Sequence, residues 1–327
     1  MSELHKFVFE GLPVRGMLVR LTDVWQEILR RRANNLQSGA YPAPVRHLLG
    51  EMTAAAALMQ SNIKFNGALV LQILGDGPVK LAVVEVQSDL SLRATATLRG
   101  EVADGAGLTQ MLNQNNAARC AITLDPKDKL PGQQPYQGVV PLFDDQRRPL
   151  ERLSDVLAHY MLQSEQLDTM LVLAANDELA AGLLIQRLPV QGLGNLSAKA
   201  SAADEDEIGR NEDYRRIAML VETLQSQELL TLDVDTLLRR LFWQEDVRRF
   251  DPLVPRFACS CHRERVSQMI RSLGAEEAAS IVAEQGQIEV GCEFCGQQYR
   301  YDAVDAAQLF VDGPQLGGHT PGPSVLH

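Results

Sequence analysis

Five cysteines occur in the chain, and four of them fall in two short segments. Cys259 and Cys261 lie in FACSCHRER, residues 257–265, spaced C-x-C. Cys292 and Cys295 lie in VGCEFCGQQY, residues 290–299, spaced C-x-x-C. Thiolates in such pairs can hold a metal, form disulfides or exchange electrons with other thiols. A set of four cysteines suits tetrahedral zinc and leaves no coordination position open for a substrate. The expectation is one Zn2+ bound by Cys259, Cys261, Cys292 and Cys295. An iron–sulfur cluster is the competing occupant, because thiolates suit it too. None of the six histidines is needed as a ligand, and His262, beside Cys261, is expected to be exposed. Cys120, in ARCAITL (118–124), reads as a small buried apolar residue in a strand.

The spacing also permits a second chemistry. Each pair consists of near neighbours that can close on themselves. C-x-C gives a tight ring, and strained disulfides are easily reduced. Arg256, Arg263, Arg265 and Arg300 flank the cysteines, and positive neighbours favour the thiolate. Oxidation of both pairs would remove every ligand from the metal. In a small metal-stapled module, metal binding is folding free energy, on the order of 10 kcal/mol. A static structural zinc is the simpler reading, and these two features favour a switch over it.

Those cysteines need elements to position them. With 327 residues, the chain is long enough for two domains. Its net charge of −11 repels phosphate backbones, so nucleic acid is not expected as a main partner. The first residues, MSELHKFVFEGLPVRG, carry no pattern of a signal peptide or membrane span. A reducing cytoplasmic setting without a membrane partner is expected, and there clustered cysteines serve as metal ligands or redox centres. Strand-like runs occupy 7–10, 16–21, 67–74, 79–87, 90–100, 118–124 and 169–175, several alternating apolar with polar. Helical patterns cover 23–32, 44–62 and 153–162. Strands and helices do not alternate regularly, so the fold class expected for the first domain is α+β rather than doubly wound α/β.

The segment QGLGNLSAKA (191–200) only imitates a dinucleotide loop, since Ser197 stands in place of a third glycine. No phosphate loop for ATP is found. The acidic run 203–213 reads as a solvated linker. Beyond it, Ile217, Leu220, Val221 and Leu224 recur at i, i+3, i+4 and i+7, one apolar face of a helix. A second helical stretch spans 227–247, with Thr231 or Asp233 as its N-cap. Such a face must be buried, either permanently or by docking that can be reversed. Residues 248–312 read as a compact module with helices at 264–273, 275–285 and 303–310, and the Gly- and Pro-rich end (313–327) reads as disordered.

At these motifs the sequence resembles the redox-regulated 33-kilodalton heat-shock chaperone family of bacteria. The resemblance rests on CSCHRER (259–265), VGCEFCGQQYRYD (290–302), QELLTL (227–232), RFDP (249–252) and the segment from YPAP to NIKF (41–65). It spans nearly the whole chain. It implies an N-terminal α+β domain for client binding and dimerisation (1–191), a metastable helical linker (192–232), a small C-terminal zinc-binding redox-switch module (233–312) and a tail (313–327). It implies a holdase that is not an enzyme and needs no ATP, protecting unfolding proteins from aggregation under oxidative stress. The reduced form would bind zinc and be inactive. The oxidised form would carry Cys259–Cys261 and Cys292–Cys295 disulfides, release zinc, dimerise and expose a client surface that includes Ile217, Leu220, Val221 and Leu224. His262 departs from the small polar residue expected after C-x-C, and the stretch 192–213 is longer than the family requires. Three other classes compete: a constitutive binding protein with a purely structural zinc ribbon, a nucleic-acid-binding ribbon, and a thiol–disulfide enzyme using C-x-x-C.

Overall fold

The computed structural model describes residues 1–35, 39–129, 132–188 and 211–311. The expected dinucleotide imitation, most of the acidic run and the C-terminal tail lie outside these residues. The chain divides into two compact units, Met1–Cys259 and Ser260–His327.

The first unit holds two sheets. One has the order β10-β1-β2-β9-β8, built from β1 (Glu3–Phe9), β2 (Val14–Leu21), β8 (Thr169–Ala175), β9 (Ala180–Arg187) and β10 (Val247–Arg249), all paired antiparallel. The other has the order β11-β5-β4-β3-β6-β7, from β3 (Gly67–Leu74), β4 (Val79–Gln87), β5 (Ser91–Leu98), β6 (Arg119–Pro126), β7 (Tyr136–Pro141) and β11 (Arg256–Phe257). Its pairs are antiparallel except for β11, which runs parallel to β5. The helices are α1 (Asp23–Ala33), α2 (Ala43–Asn62), α3 (Leu108–Leu112), α4 (Leu153–Glu165), α5 (Glu212–Glu222), α6 (Ser226–Thr231) and α7 (Val234–Phe242). Strands and helices are mixed without regular alternation, the α+β class read from the sequence.

Helix α2 packs on strands of both sheets. That position explains its composition: the apolar residues run around much of its circumference, and Ala54, Ala55, Ala56 and Ala57 are all fully buried. Gly50 is needed for close approach, because a Cβ there would collide with the Ala175 side chain.

The first sheet is covered on both faces. Leu4, Met17, Val19 and Leu184 join the large core with α1 and α2. Phe7, Phe9, Leu18, Leu183 and Ile185 join a second core with α5, α6 and α7. Alternation along β1 and β2 thus sends side chains to two different cores, as the period of two requires. Central strand β9 is buried at every position, and its segment AAGLLIQR lacks the alternation that marks a half-exposed strand.

The residue pattern placed the start of the C-terminal module at 248, and the family resemblance placed it at 233. Residues 233–259 instead belong to the first unit. The reason is apolar burial: Val234, Leu237, Leu238, Leu241 and Phe242 enter the second core, and β10 and β11 each extend a sheet. The single helical stretch expected over 227–247 is broken into α6 and α7 at Leu232 and Asp233. The Asp233 side chain accepts a hydrogen bond from the Thr236 backbone N–H at 2.9 Å and so starts α7.

The second unit comprises α8 (Arg263–Leu273), α9 (Ala275–Gln285), the hairpin of β12 (Ile288–Gly291) and β13 (Gln298–Tyr301), and α10 (Ala303–Val311). Its core is small: Val266, Ile270, Ala278, Ile288, Tyr301 and Ala306. Tyr301 is fully buried, and its hydroxyl donates to the Arg263 carbonyl at 2.9 Å.

Candidate metal centre

Two short turns present the cysteines. Cys292 and Cys295 occupy the tip of the β12–β13 hairpin. The Cys292 N–H donates to the Gln297 carbonyl at 2.9 Å, and the Gly296 N–H donates back to the Cys292 carbonyl at 2.8 Å. Gly296 sits at φ +72°, a left-handed conformation that favours glycine and lets the chain fold back after C-x-x-C. Cys259 and Cys261 lie between β11 and α8. The His262 Nδ1 accepts from the Arg265 backbone N–H at 3.3 Å and caps α8. The imidazole is exposed, as the sequence reading expected.

All four sulfurs lie within 4.8 Å of one another. Cys261 Sγ and Cys295 Sγ are 3.2 Å apart. A tetrahedron with metal–sulfur bonds of about 2.3 Å has edges of about 3.8 Å, so the set is on the scale of a single zinc. Cys295 is buried and the other three are half-buried. The donor set and its spacing fit a closed four-thiolate site.

Two further side chains contact the sulfurs, one within the second motif and one far from both. The Tyr299 hydroxyl donates to Cys261 Sγ at 3.3 Å. That bond to a sulfur acceptor, with the other cysteines nearby, raises the phenol above its usual range. The Arg93 guanidinium, on β5, donates through Nη1 to Cys259 Sγ at 3.5 Å. Arg93 is held by Glu85 of the neighbouring strand at 2.6 Å in a pair largely withdrawn from water. Burial pulls the Arg93 pKa down, but the bonds to Glu85 and then Cys259 outweigh it, and the net shift is upward. The motif gives no sign of Arg93, which stands 166 residues from Cys259. The one charged residue in the strand segment SLRATATL was the available signal.

The arginines singled out beside the cysteines have other partners. Arg263 pairs with Asp305 at 2.7 Å, Arg300 with Glu289 at 2.9 Å, and Arg256 with Asp89. Arg265 donates to the Ser260 hydroxyl at 2.9 Å. Carboxylates neutralise three of the four charges that the sequence reading assigned to the thiolates. Cys120 is fully buried in β6, and burial pushes its thiol up to about 12, so it is an inert core residue.

The apolar stripe lies apart from the cysteines, on the outer face of the first sheet. Ile217 and Val221 are fully buried, Leu224 nearly so, and Leu220 packs against the same core. Asn211 caps α5 by accepting from the Tyr214 N–H at 2.8 Å. Among the described residues no helix is long and apolar enough to cross a membrane.

Comparison with known proteins agrees with the motifs. The family model described as "Hsp33 protein" matches residues 2–302. A 33 kDa chaperonin of Chromobacterium violaceum is 43% identical over 309 residues, covering 94% of each chain. A 33 kDa chaperonin of Methylobacillus flagellatus is 43% identical over 327 residues, covering 100% of this chain and 99% of the relative. The crystal structure of a 33 kDa chaperonin from Thermotoga maritima superimposes with a TM-score of 0.71 over 94% of this chain and 97% of its own, at 20% identity, and so shares the fold. A match of this extent, together with the paired cysteines, makes the chain a member of the Hsp33 family.

Proposed function

We propose that this protein is a redox-regulated, ATP-independent chaperone that holds unfolding proteins and so prevents their aggregation. The carrying observation is the cluster of Cys259, Cys261, Cys292 and Cys295, whose members are neighbours both in space and, pairwise, along the chain. The names of the curated relatives support the chaperone role. In the reduced form the four thiolates hold one zinc ion, which supplies a crosslink between the two cysteine turns. Cys295 lies mostly out of water, and Tyr299 and Arg93 hold Cys261 and Cys259 in position.

A peroxide or hypochlorous acid then oxidises the cysteines. Each pair gives up two electrons to the oxidant, and the pairs Cys259–Cys261 and Cys292–Cys295 close on themselves. This withdraws all four ligands. The unit from Ser260 onward loses its crosslink and unfolds, the linker helix α5 undocks, and its apolar face with the sheet surface beneath becomes available to clients. The active form is a homodimer in a cytoplasm that is otherwise reducing. The linker spans 192–232, of which the described part is 211–232, and the switch module is the unit beginning at Ser260.

The test is zinc release on peroxide treatment at raised temperature, read with a colorimetric chelator beside a free-thiol count and client aggregation. One zinc lost with four thiols, restored by a thiol reductant plus zinc, with aggregation suppressed only in the oxidised state, is the expected result. Zinc retained while aggregation is still suppressed would leave a constitutive binding protein with a structural zinc.

A further inference from the structure

Strand β11 has the character of an occupant on the second sheet. It is two residues long and parallel to β5, where the other described pairs of that sheet are antiparallel. Its main chain is held by Arg256 N–H to the Leu90 carbonyl and Ala258 N–H to the Leu92 carbonyl, each at 3.1 Å. The Phe257 ring packs against the large core with the Arg31 guanidinium 4.5 Å from its centroid. Arg256 pairs with Asp89 on one side, and Arg93 reaches Cys259 on the other. Main-chain bonds to a strand edge, one aromatic anchor in an apolar recess and pinned ends are how a sheet binds an extended peptide. Without β11, the outer edge of β5 would present unpaired N–H and C=O groups beside an empty aromatic recess.

We propose that the outer edge of β5, with the recess that holds Phe257, is a binding site for an extended segment of an unfolding protein carrying a large apolar or aromatic residue, and that β11 occupies this site until oxidation releases it. The inference rests on the redox-switch reading above and adds a place and a geometry for client binding. The trigger lies two residues beyond Phe257. Hydrogen peroxide takes two electrons from the Cys259 and Cys261 thiolates and, with two protons, leaves as two waters while the S–S bond forms. Cys259 then no longer offers Arg93 an anionic sulfur, and one pin of the segment is lost. The remaining hold is a two-residue ladder, an aromatic contact and an ion pair with exposed partners, which a client strand making a longer ladder can displace. The parallel register sets the direction of the incoming strand, and Arg93 and Glu85, whose ion pair does not involve β11, stay in place on the sheet.

The experiment uses the full chain and a fluorescently labelled peptide of residues 253–259 carrying Cys259→Ser, with anisotropy as readout and zinc content measured on the same samples. The oxidised, zinc-free protein is expected to bind this peptide at least about tenfold more tightly than the reduced protein. A peptide N-methylated at the Ala258 amide cannot donate to Leu92 and is expected to bind about tenfold more weakly, the scale of a lost hydrogen bond and its clash. Equal binding by both forms, or no effect of N-methylation, overturns the inference while leaving the switch intact if zinc has left. Zinc retained after oxidation overturns both.

Discussion

Arg93 shows how much a single side chain adds to the centre. A guanidinium buried on a strand is expensive to desolvate unless it is paired. Glu85 pairs it, and its Nη1 donates to a cysteine sulfur. Glu51 shows the opposite situation. It lies on α2 beside a cavity of about 520 Å³ also lined by His47, Glu151 and Ser154. Burial raises its carboxyl from 4.5 to about 7. The folded state therefore binds this proton more tightly than the unfolded state does. Stability that is present below about pH 4.5 is lost as the pH rises to about 7, up to about 3 kcal/mol in all. Glu51→Gln has no charge to desolvate. It should raise the melting temperature relative to the parent at pH 8 and change it little at pH 4. An equal shift at both values would show that Glu51 is not the titrating group.

At the scale of elements, α5 is the part whose packing matters most for the switch. Its exposed face carries Glu and Arg, while Ile217 and Val221 are buried on the first sheet and Leu224 follows into the same core just past its end. Fully burying one such side chain is worth about 1.5–3 kcal/mol, so a few contacts decide whether the helix stays docked. Leu224→Ser removes one of them and adds a hydroxyl to an apolar site, weakening docking by about 2–3 kcal/mol. The reduced, zinc-loaded variant should be cleaved faster by a protease within 211–232 and should suppress client aggregation without oxidant. If cleavage and activity both stay at the parent's level, α5 is not the element that undocks.

For the molecule as a whole, the two units differ in how they are held together. The first has two large cores and two sheets. Among the described residues the second has a core cluster of six buried apolar side chains, too few to expect a stable module of that size without a crosslink. Cys292→Ser, or a strong chelator, should therefore abolish zinc binding and amide protection in α8, α9 and β12–β13 while α2 and β3–β6 keep theirs. Hydrogen exchange resolves the two units. Unchanged protection in the second unit would mean that its apolar core suffices.

Much of this was legible along the chain because it depends on local chemistry. Four cysteines at C-x-C and C-x-x-C spacing define a metal-ligand set wherever the two turns meet, and the strong periodicity of 44–62 and of 217–224 marks helices with apolar faces. Helix 275–285 was bounded by its glycines, and β3, β4 and β8 stood out as apolar runs. What was hidden depends on contacts distant in sequence. Strand β9 lacks alternation because it is buried on both faces, β11 exists only through its pairing with β5, and residues 233–259 go to the first unit because its second core takes up their apolar side chains. Arg93 reaches Cys259 for the same reason. Covalent spacing determines which residues can bind a metal, while the sheet beside them decides which charges and which strand edge they are coupled to, since those neighbours are brought close only by tertiary packing.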